Sequence, residues 1–207
     1  MEQLNHTLFT WINATPDSPK WLLSIALFLA NDLIFIVPVL IVTLYLWGHH
    51  HRIAFQRELV SKTAIALVFA MVCAKTLSEL FPHARPFMEG FGYNFLHHDP
   101  DSSFPSDHGT AIFTFALAFL FWHRVWSGTL FLVVALGIAW SRVYVGVHWP
   151  LDMVGGLLVG MLGCLVLAAD LESVWQRNQR HARQNLSLQL CAAYSQRLGP
   201  RITALGI

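Results

Sequence analysis

Charge is what this sequence holds least of. Only 12% of its 207 residues are Asp, Glu, Lys or Arg, about half the share of an ordinary soluble domain. The charges also nearly cancel, leaving +1, so no global field selects a nucleic acid or an acidic protein partner. Cysteine is equally sparse. Cys73 and Cys164 lie in apolar runs and Cys191 in a polar tail. No two have the close spacing of a zinc site or redox motif, and no disulfide framework is indicated. A basic region ahead of the first apolar run is missing too. That run is long and has no cleavage site, so it reads as a retained membrane segment rather than a signal peptide. Internal repeats and low-complexity stretches are absent.

Apolar residues fill the space that charge leaves. The chain is 55% hydrophobic, with eight Trp and fifteen Phe, and its mean hydropathy is +0.51. That composition points to lipid. Residues 3–13 carry Leu4, Leu8, Phe9, Trp11 and Ile12 at helical spacing, which predicts a short interfacial helix. The stretch from Trp21 to Trp47 is apolar apart from Asn31 and Asp32. One straight helix would bury Asp32 in hydrocarbon at high cost. The expectation is therefore a short helix over 19–29 near the surface, with Asp32 capping a span over 32–48. Spans at 59–81, 106–123, 126–143 and 149–170 follow, each near the roughly 20 residues that cross a bilayer. The predicted fold is all-α: a polytopic membrane helix bundle of about five to six transmembrane helices plus the interfacial helix. Residues 1–30 form the N-terminal segment, 31–170 the membrane-embedded core and 171–207 a basic cytoplasmic tail.

Basic residues orient the bundle. Arg52, Arg57 and Lys62 flank the first loop, Arg124 lies in the third, and Arg177, Arg180 and Arg183 open the tail. An odd number of spans puts these regions on one side, which the positive-inside bias makes cytoplasmic. Arg85 and Arg142 then sit at the opposite face, where basic residues need a reason. Around them the span ends gather Ser106, Asp107 and His108 at one helix start, and His148 and Asp152 at another. Two guanidinium groups can clamp phosphate oxygens. Ser106 at a helix start adds a hydroxyl beside first-turn amides that favour anions. His148 and Asp152 are four apart, so on a helix they share a face. The carboxylate can then hold one imidazole nitrogen protonated and aim the other at phosphorus, while His108 protonates the leaving oxygen. Lone interfacial histidines such as His6, His97, His98 and His49 to His51 read as amphipathic surface residues. No metal-ligand cluster is evident, and the scheme requires neither metal nor cofactor.

These residues carry a resemblance. Ser141-Arg142, His148 and Asp152 match the third motif of the type 2 phosphatidic acid phosphatases, which share a core with vanadium haloperoxidases. Pro105-Ser106-Asp107-His108 resembles their second motif, with Asp107 in place of Gly. Arg85-Pro86 matches the end of the first, but Ser78 stands where that motif has Lys, and Lys75 lies one helical turn deeper. The resemblance implies His148 as nucleophile, Asp152 as its partner and His108 as acid. It implies Arg85, Ser106 and Arg142 as phosphate ligands, with Asp107 beside them. The texture, including the loop at 92–110, is most similar to bacterial undecaprenyl-diphosphate phosphatases. That implies a multi-pass inner-membrane enzyme facing the periplasm, with a lipid diphosphate as substrate and membrane lipid around it. It would remove the terminal phosphate through a phosphohistidine and so recycle the carrier of cell-wall synthesis. The alternatives are action on phosphatidylglycerol phosphate or phosphatidic acid, a phosphotransferase, and a non-catalytic lipid-binding or transport protein.

Overall fold

The apolar runs form helices in the order their hydropathy predicts. The computed structural model describes residues 2–47, 53–96 and 98–169. Helix α1 spans Glu2–Ile12, α2 Lys20–Asn31, α3 Ile36–Leu46, α4 Ile53–Leu80, α5 Asp107–Trp122 and α6 Val125–Tyr144; α7 covers Pro150–Ala169. Short 3-10 turns occupy Leu33–Phe35 and Pro86–Glu89. The chain divides into one unit over Met1–Leu167 and another over Ala168–Ile207. Only the last two residues of α7 represent the second unit, and the predicted 171–207 tail lies outside the described residues, as do His97 and His49 to His51.

Four stretches are long and apolar enough to cross a membrane: Lys20–Leu46, Ile53–Leu80, Val125–Tyr144 and Pro150–Ala169. The fifth, α5, has 16 residues, about 24 Å at 1.5 Å per residue. It is apolar all round and buried along most of its length, from Gly109 to Phe119. A helix wrapped by its neighbours does not have to match the bilayer by itself. The expected division near Asp32 exists, but not as a cap. Asp32 ends α2, its side chain makes no capping hydrogen bond, and its Oδ1 accepts from Asn31 Nδ2 at 3.1 Å instead. The backbone passes through one 3-10 turn, so Lys20–Leu46 is one 27-residue helical stretch.

Glycines set how closely α7 approaches its neighbours. A Cβ on Gly156 would lie 2.7 Å from Thr110 N, and one on Gly160 2.9 Å from Thr114 N. Small residues four apart let membrane helices meet backbone to backbone, which here brings α7 onto the N-terminal half of α5. In the turn between α6 and α7, Gly146 has φ +86°, and a Cβ there would meet Tyr93 O at 2.0 Å. Only glycine suits such a turn against a second strand of backbone.

Helix α1 is pinned to the end of the bundle where α7 begins. Asn5 Oδ1 accepts from Leu151 N at 3.1 Å, and Asn13 Nδ2 donates to Tyr93 O and Tyr144 O. His6 packs its ring against those of Phe91 and Trp149, at centroid distances of 4.6 and 4.8 Å.

Candidate active site

The long connection from α4 to α5 is tied down where α7 begins. Ser103 N donates to His83 O at 2.8 Å and Ser106 N to Asp152 O at 3.2 Å, while Trp149 Nε1 donates to Ala84 O at 2.9 Å. These bonds carry Arg85, at the start of the loop, and Asp101 to Ser103, near its end, to the same place as His148.

The start of α7 orients the imidazole. Pro150 begins the helix, where its missing N–H costs nothing. Trp149 stands at the N-cap, and Asp152, three residues on, reaches back to accept from Trp149 N at 2.8 Å. This is the acidic half of a capping box. His148 therefore precedes the helix and does not share a helical face with Asp152, as the four-residue spacing had suggested. The cap brings the two together instead. Asp152 Oδ2 lies 3.3 Å from His148 Nδ1, and Ser103 Oγ donates to the same oxygen. Nδ1 also faces Ser103 O at 3.1 Å. Acceptors surround Nδ1, so the ring proton sits there and Nε2 keeps its lone pair.

Donors surround Nε2. Arg85 Nη1 lies 3.0 Å from it and Arg142 Nη2 3.3 Å. The five N–H groups of Arg85 are all engaged. Nε and Nη2 lie 2.8 and 2.7 Å from Asp101 Oδ1, Nη2 also reaches Ser102 O at 3.4 Å, and Nη1 adds Val147 O at 2.9 Å. Arg142 is less committed. Nη1 donates to Ala30 O at 3.0 Å, and its buried Nε has no protein partner. A buried, uncommitted guanidinium donor next to a lone pair is suited to an anion. Burial first, then the charges of Arg142 and Arg85, push His148 well below the ordinary histidine value of 6.5. The imidazole is neutral, as an attacking nitrogen has to be.

These groups open into a cleft of about 220 Å³, lined by Arg85, Asp107, His108, Arg142 and His148 together with Lys75, Ser78, Glu79, His98, Asp101, Ser102 and Pro105. Asp107 occupies the first turn of α5. Ser106 lies behind the wall, fully buried. Its Oγ accepts from Gly109 N at 3.2 Å and caps α5, and its hydroxyl proton has no protein acceptor among the described residues. Sequence reasoning missed Asp101 and Ser103, the polar partners of Arg85 and Asp152, and set aside His98. The His98 ring is 6.3 Å from that of His148, and its pKa is lowered, by burial above all. The signal available was the polar run Asp99 to Ser103 directly before Pro105-Ser106. No group of His, Cys, Asp and Glu suited to a metal occurs among the described residues.

An all-helical membrane bundle, with a neutral carboxylate-backed imidazole and two guanidinium groups at one end, has the makings of a membrane phosphatase. Residues 59–175 match the PAP2 superfamily. YbjG of Escherichia coli strain K12, provisionally named an undecaprenyl-diphosphatase, is 56% identical over 201 residues, which cover 96% of this chain and 98% of that one. BcrC of Bacillus subtilis strain 168, named an undecaprenyl-diphosphatase, is 26% identical over 77% of this chain and 80% of its own. The crystal structure of Aquifex aeolicus LpxE is similar with a TM-score of 0.63 at 25% identity, covering 80% of this chain and 95% of that one. The chain belongs to the PAP2 superfamily and is a membrane phosphatase.

Proposed function

We propose that this phosphatase removes the terminal phosphate of undecaprenyl diphosphate, or a closely related polyprenyl diphosphate, at the periplasmic membrane face. The lipid monophosphate it releases returns to cell-wall synthesis. The substrate follows the names of relatives that match most of the chain. The chemistry rests on one observation: His148 Nε2 faces the donors of Arg85 and Arg142 at 3.0 and 3.3 Å.

In the first step an incoming phosphoryl oxygen takes over guanidinium donors that now point at Nε2. The freed lone pair attacks phosphorus, and the bond to the bridging oxygen breaks. His108, on the cleft wall, delivers its proton to that oxygen. Asp152 and Ser103 O hold Nδ1–H and balance the positive charge that grows on the ring. In the second step His108, now neutral, takes a proton from water as the water attacks the phosphohistidine. The Nε2–P bond breaks, its electron pair returns to the His148 imidazole, and inorganic phosphate leaves. Arg85, Arg142 and the N-terminus of α5, which Ser106 caps from behind, hold the equatorial charge in both steps, and most of the catalysis of phosphoryl transfer comes from such groups.

Release of inorganic phosphate by the purified protein tests the substrate, with polyprenyl diphosphate compared against phosphatidylglycerol phosphate and phosphatidic acid. A kcat/KM at least about tenfold higher on the prenyl diphosphate is the expected result, a difference near 1.4 kcal/mol in barrier. Preference for either glycerolipid would overturn the assignment.

A further inference from the structure

Lys75 is the feature that the fold and the two proposed steps leave unexplained. It lies within α4, five residues before the helix ends at Leu80, on an exposed position. A lysine this far into an apolar span is costly unless its ammonium reaches a polar place. It does reach one: Lys75 lines the same cleft as Arg85, Arg142 and His148. Glu79 is the obvious alternative partner, one turn above. Yet no Lys75–Glu79 ion pair forms among the described residues, and Lys before Glu is the less favourable order for a pair four apart.

Position separates Lys75 from the two arginines. Arg85 and Arg142 touch His148, whereas Lys75 stands about 4.5 Å deeper along α4 than Ser78, from three residues at 1.5 Å each. Below it, Val68 and Val72 are 64% and 60% exposed. Val68, Val72, Lys75 and Glu79 follow each other at four, three and four residues, a single stripe on one face of the helix. Ala64, Ile65, Val68, Phe69 and Val72 line an apolar groove of about 470 Å³ on the same helix. One face of α4 thus changes from apolar to cationic to the catalytic cleft in the direction of the outer end.

We propose that Lys75 binds the lipid-proximal phosphate of a diphosphate substrate, and that this contact makes the enzyme favour diphosphates over single phosphates. The inference rests on the reading of the substrate above. With the terminal phosphorus at His148, the remainder of the molecule has to run towards the bilayer, and the α4 stripe leads from the cleft residue Lys75 to the apolar groove at Val72 and Val68. When the N–P bond forms, the bridging oxygen leaves with the bonding electron pair and stays on the lipid monophosphate. His108 protonates that oxygen, and the Lys75 ammonium offsets the charge remaining on the same phosphate.

The test compares full-length wild type with Lys75→Met and Lys75→Arg in detergent, using farnesyl diphosphate as substrate and inorganic orthophosphate as inhibitor. Orthophosphate fills the terminal position alone and reports whether the site is folded. The Met variant is expected to raise KM for farnesyl diphosphate by about tenfold or more, the scale of one charge-assisted hydrogen bond. Inhibition by orthophosphate should stay within about twofold, and Arg should restore most of the loss. An unchanged KM in the Met variant would overturn the proposal, and so would a parallel loss of orthophosphate inhibition, which would place Lys75 on the terminal phosphate or in the fold. A wild type that releases no phosphate from prenyl diphosphates would remove the substrate class and the proposal with it; normal wild-type turnover with an unaffected Met variant removes the proposal alone.

Discussion

Arg85 Nη1 lies 3.0 Å from His148 Nε2, so the proposed nucleophile accepts a hydrogen bond from the group that will later hold phosphate. Arg142 Nη2 makes a second such contact at 3.3 Å. The two arginines keep the imidazole neutral and aimed, and they release it when a phosphoryl group takes their donors. Substrate binding and activation of the nucleophile are then one event, because the same N–H groups serve both.

A pH profile follows from that arrangement. Burial and the two arginines depress His148 well below 6.5. Protonating it destroys the nucleophile, so activity falls on the acid side only when pH drops through the depressed value. The acid limb of the kcat/KM profile should therefore lie well below pH 6.5. An acid limb centred at the ordinary histidine value of about 6.5 would contradict the arrangement.

Asp152 has two jobs, and one substitution separates them. An Asn oxygen can still accept from Trp149 N and cap α7, but the carboxylate charge behind the imidazole is lost. Asp152→Asn is expected to lower kcat by about two to four orders of magnitude, with KM within a few-fold and the fold intact. Steady-state kinetics and a thermal melt check it; a loss smaller than about tenfold would remove Asp152 from the proposed dyad.

Gly156 positions His108 by letting α7 meet the first turn of α5. A Cβ there would press on Thr110 N at 2.7 Å and the Gly109 carbonyl carbon at 2.9 Å, and neither is a side chain that can swing away. Gly156→Ala should cost about 1–3 kcal/mol and lower activity as the start of α5 shifts. Gly137→Ala, where a Cβ meets nothing within 4 Å, is the control and should leave both unchanged. A melt in detergent with equal midpoints for the two variants would refute the packing argument.

Much of the architecture was legible because lipid simplifies the chain. Hydropathy and basic residues were enough to place Arg85, His108, Arg142 and His148 at one end of a bundle, since antiparallel spans return alternate ends to one level. The reason given for the His148–Asp152 contact was wrong in detail. Pro150 starts the helix one residue after Trp149, so a capping box and not a shared helical face joins them, and spacing alone could not tell the two apart. Asp32 failed as a cap because the backbone continues through a 3-10 turn and leaves no helix start to serve.

The loop between α4 and α5 was the illegible part. Asp101, Ser103 and His98 meet the site through irregular backbone, which has no periodicity to predict which side chains turn inward. Asn5 within α1 and Asn13 just beyond its end also gave no sign in the sequence of the segments they bond. Each is the start of an Asn-x-Thr triplet in the sequence, and each bonds the backbone of a distant segment in the fold.

The central claim is a covalent phosphoryl group on His148. Wild-type protein mixed with polyprenyl diphosphate, quenched rapidly under alkaline conditions and digested, should yield an acid-labile phosphoryl adduct on the peptide that contains His148. His148→Ala should bind the lipid but form no adduct and show no turnover. A phosphoryl group trapped on another residue, or phosphate release by His148→Ala at more than about a thousandth of the wild-type rate, would contradict the account.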